Sequence, residues 1–118
     1  MDSLDDIFFL KMNDFYAKVY AVVKKIPRGK VCTYGDIAEF LGTKGSARTV
    51  GYAMNHAHSA LFYVPAHRVV NRNGLLTGKH HFESPTMMQE LLESEGIVVI
   101  NDQIQDFEKY RWYPRKKI

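Results

Sequence analysis

Cysteine is almost missing from this chain of 118 residues: Cys32 is the one thiol. A single thiol forms no internal disulfide and supports no thiolate-rich metal site. Long apolar runs are missing too, and none approaches the ~20 residues that a membrane-spanning helix needs. Positive charge is missing from the N-terminus, where Asp2, Asp5 and Asp6 replace the basic start of a signal peptide. These absences predict a cytoplasmic protein with no membrane partner. Internal repeats and low-complexity segments are also absent. Hydrophobic residues make up 46% against 25% charged, a balance that excludes disorder and predicts one domain, 1–118, around one core.

What is present is a mild excess of positive charge, +3, unevenly spread. Acidic residues crowd the first positions and the stretch from Glu83 to Glu108, while Lys24 to Arg72 is basic almost throughout. One electropositive face follows, compatible with nucleic acid; an ordinary solvated face fits the charge equally well. His56, His58, His80 and His81 have no acidic or thiolate partners at ligand spacing, so they read as loop histidines, and no metal or cofactor is expected.

The periodicity predicts a mainly helical chain with a small β wing. Phe8, Met12, Phe15, Val19, Val22 and Ile26 recur at spacings of four and three, the stripe of an amphipathic helix that Pro27 and Gly29 stop. Lys30 to Thr33 reads as a short strand or extended link. Thr33 and Asp36 form a capping-box-like start for a second helix with Ile37 and Leu41 inward, ended by Gly42. Gly45-Ser46 opens a third, with Ser46 as N-cap and Val50, Ala53, Met54 and Ala57 as its buried stripe. Two short helices joined by a Gly-containing turn make a helix-turn-helix. Asn73-Gly74 predicts a hairpin turn between the 62–70 segment and Leu75-Leu76. Ser84 and Pro85 predict the N-cap and first position of a fourth helix, with Met88, Leu91 and Leu92 inward and Gly96 as its stop. Residues 97–100 read as strand. The aromatic and basic tail 103–118 has no assigned structure and either completes the core or forms a docking surface.

Five segments carry a specific pattern. They are Ile26 to Val31, Thr33 to Ala38, Ala47 to Gly51, Pro65 to Val70, and Glu95-Gly96. In this order and spacing they resemble the DNA-binding, active-site domain of the O6-alkylguanine-DNA alkyltransferases, from Phe15 to Gly96. The resemblance implies a winged helix-turn-helix-like fold and DNA repair by base flipping. One position departs. The family's active site reads Pro-Cys-His-Arg-Val, and its thiolate accepts the alkyl group; here Ala66 stands at that position. A methyl side chain has no lone pair and cannot act as a nucleophile. The sequence therefore resembles the alkyltransferase-like branch, whose members bind alkylated guanine without repairing it and hand it to nucleotide excision repair. No enzyme activity is expected. Cys32 reads as a small buried filler, not a relocated nucleophile.

The resemblance also implies roles for residues around Ala66. His67 and Glu95 match the family's relay and are left with a structural hydrogen bond. Arg48 matches the arginine finger that fills the stack when the base leaves; a solvated helix arginine is the plain alternative. Ser46, Ala47, Gly51 and Tyr52 are expected on the outer face of the third helix, against DNA. Tyr34 matches the tyrosine that crowds the phosphate of the rotating nucleotide, with a structural tyrosine near a cap as the alternative, and Thr33 is expected on the same backbone. The base pocket is expected from Met54, Pro65, Ala66, Val69 and the segment 77–81, with Lys79 and His80 against the base or its phosphate. Arg68 braces the loop. The expected partners are duplex DNA containing O6-alkylguanine and nucleotide excision repair proteins, with the chain a monomer. An active transferase and a helix-turn-helix regulator remain as competitors; the small Ala-Gly face of the third helix opposes the regulator.

Overall fold

The computed structural model describes residues 14–42, 47–60 and 62–115. Phe8, Met12, Gly45 and Ser46 lie outside them.

Helix α1 covers 14–23 of the described residues and buries Val19 and Val22, as the spacing predicts, and also Val23. Its last turn tightens through Lys25 N–H to Val22 O (3.0 Å) and Ile26 N–H to Val23 O (3.1 Å) before Pro27 ends it. Strand β1 (Cys32–Thr33) leads directly into α2 (Tyr34–Leu41). Thr33 caps α2, its Oγ1 accepting the Asp36 N–H at 3.0 Å. The expected reciprocal box does not form. The Asp36 carboxylate turns outward and accepts two hydrogen bonds from Arg111, at 3.0 and 3.1 Å. Helix α3 (Ala47–Asn55) buries Val50, Ala53 and Met54 against α2, and Tyr20 Oη on α1 donates to Ala53 O (2.7 Å). The helix-turn-helix is thus pinned from behind.

β1 pairs in parallel with β2 (Val69–Val70), Cys32 opposite Val69 and Thr33 opposite Val70. This corrects the predicted hairpin. The chain does reverse at Asn71 to Leu75, closed by backbone bonds from Gly74 N–H to Asn71 O (2.9 Å) and from Asn71 N–H to Leu75 O (3.1 Å) and by Asn71 Oδ1, which accepts the N–H groups of Asn73 (2.9 Å) and Leu75 (2.8 Å), but no strand ladder extends from it. Leu75 instead bridges Gln103. Gly74 sits at φ 75°, and a Cβ there would come within 3.1 Å of the Phe107 ring, so both conformation and space demand glycine.

Helix α4 (Met87–Ser94) begins two residues later than predicted. Ser84 to Met87 closes a single turn (Met87 N–H to Ser84 O, 3.3 Å), and the first helical bond runs from Glu90 N–H to Thr86 O (2.9 Å). Pro85 therefore precedes the helix. Of the predicted 97–100 strand only β3 (Val99–Ile100) pairs, with β4 (Gln103–Ile104). The tail then turns through α5 (Phe107–Tyr110), and its backbone flanks Val31: Val31 N–H donates to Tyr110 O (2.9 Å) and Trp112 N–H to Val31 O (2.7 Å). The tail completes the core, which has two buried groups. One gathers α1, α2 and α3; the other gathers Val31, Val70, Leu76, α4 and Ile104; Phe82 packs against both.

Candidate nucleic-acid interface

The outward side of α3 carries Ala47, Arg48, Gly51 and Tyr52. Arg48 is exposed, and its Nε donates to Tyr52 Oη at 2.7 Å, one helical turn on. Its guanidinium also lies 5.8 Å from the Tyr52 ring centre. Among the described residues nothing outside α3 holds this arginine. Gly51 is an interior helix residue, where glycine is less favourable than alanine by roughly 0.5–1 kcal/mol. A Cβ at Gly51 would meet nothing within 4 Å, so the fold's own packing does not require the glycine.

Thr33, expected on the DNA backbone, is 1% exposed and gives its oxygen to the α2 cap. Its contribution is to fix where α2 starts, and hence where Tyr34 points. Tyr34 is half-buried. Its hydroxyl stands against Gly78, 3.0 Å from where a Cβ would be, and burial raises its pKa, with a hydrogen bond involving Thr77 opposing.

Tyr34, Met54, Ala66 and Val69 line one small inner cavity of about 10 Å³ together with Asn55, His58, Gly78, His81 and Phe82. Of the predicted pocket residues, Met54, Ala66 and Val69 are thus brought together with Gly78 and His81 of the 77–81 segment, whereas Pro65, Thr77, Lys79 and His80 do not line the cavity. Pro65 is buried behind the site. The turn Lys79–His81 winds with three residues per turn, so Gly78 and His81 share the face toward the cavity while His80 stays exposed. Lys79 points elsewhere, its Nζ 2.6 Å from Asp102 Oδ2. Asn55, His58, Phe82 and Asp102 had no motif to announce them. A second cavity of about 360 Å³ opens on the other side of Ala66, between the 57–64 loop and α4.

Behind Ala66 the polar groups are fully used. Glu95, just past the end of α4, accepts from His67 Nε2 (2.6 Å), from Arg68 Nε and Nη2 (3.0 and 2.9 Å) and from the Gly29 N–H (2.9 Å). Arg68 Nη1 also reaches Ile26 O (3.0 Å). Burial alone would raise the Glu95 pKa. The Arg68, Gly29 and His67 donors outweigh it and bring the carboxyl down to about 2. For His67, burial dominates and lowers the pKa, although the Glu95 hydrogen bond opposes it. Arg68 already balances the carboxylate, so His67 remains neutral and donates its Nε2–H. Cys32 is fully buried, and burial with nearby Asp36 pushes its thiol up to about 12. Such a thiol presents no thiolate at neutral pH. Among the described residues no three His, Cys, Asp or Glu side chains gather as a metal site, and no helix is long and apolar enough to cross a membrane.

These elements define a DNA-binding domain of one family. Residues 14–97 match the family of the 6-O-methylguanine DNA methyltransferase DNA-binding domain, and the chain belongs to it. It is similar to alkyltransferase-like protein 1 of Schizosaccharomyces pombe, 37% identical over 109 residues, covering 89% of this chain and 100% of that one. It is also similar to the DNA base-flipping protein of Escherichia coli, 34% identical over 104 residues, covering 86% of this chain and 77% of that one. Its fold matches the crystal structure of the S. pombe protein in complex with damaged DNA containing O6-carboxymethylguanine, with TM-score 0.71 and 38% identity, covering 86% of this chain and 97% of that one.

Proposed function

We propose that this protein captures O6-alkylguanine in duplex DNA reversibly, by flipping the nucleotide, and transfers no alkyl group. The observation that carries the reading is Ala66, which lines the pocket where the displacement would need a nucleophile. The only thiol of the chain is the buried, protonated Cys32.

Extrusion is required because a stacked base cannot be enclosed, and unstacking costs about a few kcal/mol, less at a damaged pair. Arg48 is suited to fill the vacated stack, since a planar guanidinium both stacks and donates hydrogen bonds. The small residues Ala47 and Gly51 let α3 approach the sugar-phosphate backbone, with Tyr34 at the pocket wall where the rotating nucleotide would pass. Contacts of this kind in the minor groove read little sequence, which suits scattered lesions. The likeness to a base-flipping protein and to a complex with O6-carboxymethylguanine DNA supports the same reading. Capture without repair leaves the lesion to another system, and we infer that nucleotide excision repair proteins receive it from this single-domain, monomeric, cytoplasmic chain.

The test pairs two measurements. Duplexes with and without O6-methylguanine are titrated at fixed salt, with preference for the lesion expected. The same duplex, carrying a labelled methyl group, is then incubated with excess protein. Stoichiometric label on the protein overturns capture without transfer, and equal affinity for both duplexes overturns lesion recognition.

A further inference from the structure

The two cavities beside Ala66 have very different sizes and share three walls: Ala66, His58 and Phe82. The inner one, at about 10 Å³, has room for a single water at most. No base fits there until something moves. The outer one, at about 360 Å³, lies within the range of roughly 300–1,000 Å³ of small-ligand pockets and stands open. What divides them is a contact between two rings. His58, on the turn Ala57–Ser59, meets Phe82, just past the turn Lys79–His81, with ring centres 4.9 Å apart and planes at 75°.

His58 sits on one short three-per-turn segment and Phe82 directly follows another, neither with a strand partner. Such segments open at low cost relative to packed helices. Their supports differ. His58 is exposed and has no other ring contact among the described residues, whereas Phe82 is half-buried against both core groups. His58 is therefore the mobile half.

We propose that His58 and Phe82 form an aromatic gate between the two cavities, and that they determine which O6 substituents the protein prefers. This rests on the capture reading given above. With the gate shut the inner cavity admits no base. When the gate swings open the base enters beside Met54 and Val69, and its O6 substituent crosses Ala66 into the outer cavity between the two rings. A methyl group ends before the rings and gains nothing from them. A benzyl group extends between them and stacks. The gate thus opposes every lesion equally and rewards those whose substituent is large and flat.

The test compares affinities of the full chain, His58→Ala and Phe82→Leu for three duplexes: undamaged, O6-methylguanine and O6-benzylguanine. An edge-to-face ring contact corresponds to roughly a two- to tenfold change in an equilibrium. His58→Ala is expected to bind O6-methylguanine as well as or better than the parent, because the gate no longer has to open, and to lower the benzyl-over-methyl preference about tenfold. Phe82→Leu keeps apolar bulk in the core and is expected to lower the same ratio, so it serves if His58→Ala fails to fold. A parent protein that prefers lesions, with variants whose ratio stays within twofold of the parent's, overturns the gate alone. A parent protein that binds all three duplexes equally overturns the capture reading beneath it.

Discussion

The two sides of Ala66 treat their polar groups in opposite ways. Behind it, Glu95 gathers His67 and Arg68 from one segment and Gly29 from another, all at hydrogen-bond distance and nearly out of water. In front, among the described residues, Arg48 holds only a tyrosine on its own helix, and a Cβ on Gly51 would meet nothing within 4 Å. The first side is saturated by the fold; the second is left for something the chain does not contain. An alkyl transfer reaction would need the rear knot to act on a thiol. In the capture proposed above, Ala66 stands between them and the rear knot serves to hold the loop.

The sharpest way to break this contrast is to open the knot. Glu95→Ala leaves the Arg68 guanidinium and the buried His67 without their shared acceptor, and loss of one member of a buried pair costs about 3–5 kcal/mol. A fall of that size in the urea midpoint, with the lesion-binding face untouched in sequence, is the expected result. An ordinary surface-size loss would show that the knot is not what holds the 66–70 segment.

Acid should open it more gently. His67 has a folded pKa below its ordinary 6.5, mainly through burial, so its contribution is present above that pH and is lost as the pH falls. Glu95 lies at about 2 against an ordinary 4.5, so its contribution is complete above pH 4.5 and is lost between there and 2. Stability should therefore be level from neutrality up to the ordinary thiol pKa of 9.0, above which buried Cys32 erodes it, and fall in two acid stages. Glu95→Gln should remove the lower stage, as checked by urea midpoints across the pH range.

On the front side the same kind of change should do the reverse. Arg48→Ala removes an exposed group, so stability should move by less than about 0.5 kcal/mol. Affinity for an O6-alkylguanine duplex should nevertheless drop about ten- to a hundredfold, the scale of a lost arginine at a DNA interface. Affinity for undamaged DNA should fall less, because no vacated stack needs filling there. Equal losses on both duplexes would make Arg48 a phosphate contact and not a finger.

How much of this was legible before the structure depends on the range of the forces involved. The caps of α2, the buried faces of α1 and α3 and the partnership of His67 with Glu95 follow from local periodicity or from long ordered motifs, and they hold. The wing does not follow. Backbone and side chain of Asn71 both close the reversal, so the Asn73-Gly74 signal was real as a turn, but Leu75 pairs with Gln103 and no ladder with β2 extends from it. The pocket was legible where the motifs supply it, at Met54, Ala66 and Val69. It was not at 77–82, where the choice between Lys79 and His81 as the inward residue depends on a single three-per-turn winding and on Asp102, more than twenty residues away. Thr33 shows the opposite error: a residue near the interface in sequence was consumed by a cap.

The smallest expected effect is also the most direct measure of what the front side is for. Glycine inside a helix is less favourable than alanine, and at Gly51 no atom among the described residues needs the space. Gly51→Ala should therefore raise stability, by about 0.5–1 kcal/mol, since the added methyl enters open space and the unfolded chain loses freedom. It should also weaken DNA binding a few-fold, damaged and undamaged alike, because a methyl would then stand between α3 and a backbone that every sequence presents. The two readouts have opposite signs, and a general loosening of the helix would lower both. A variant that is more stable and binds as before would show that the space above Gly51 is occupied by water in the complex too, and would move the close approach of DNA to another part of α3.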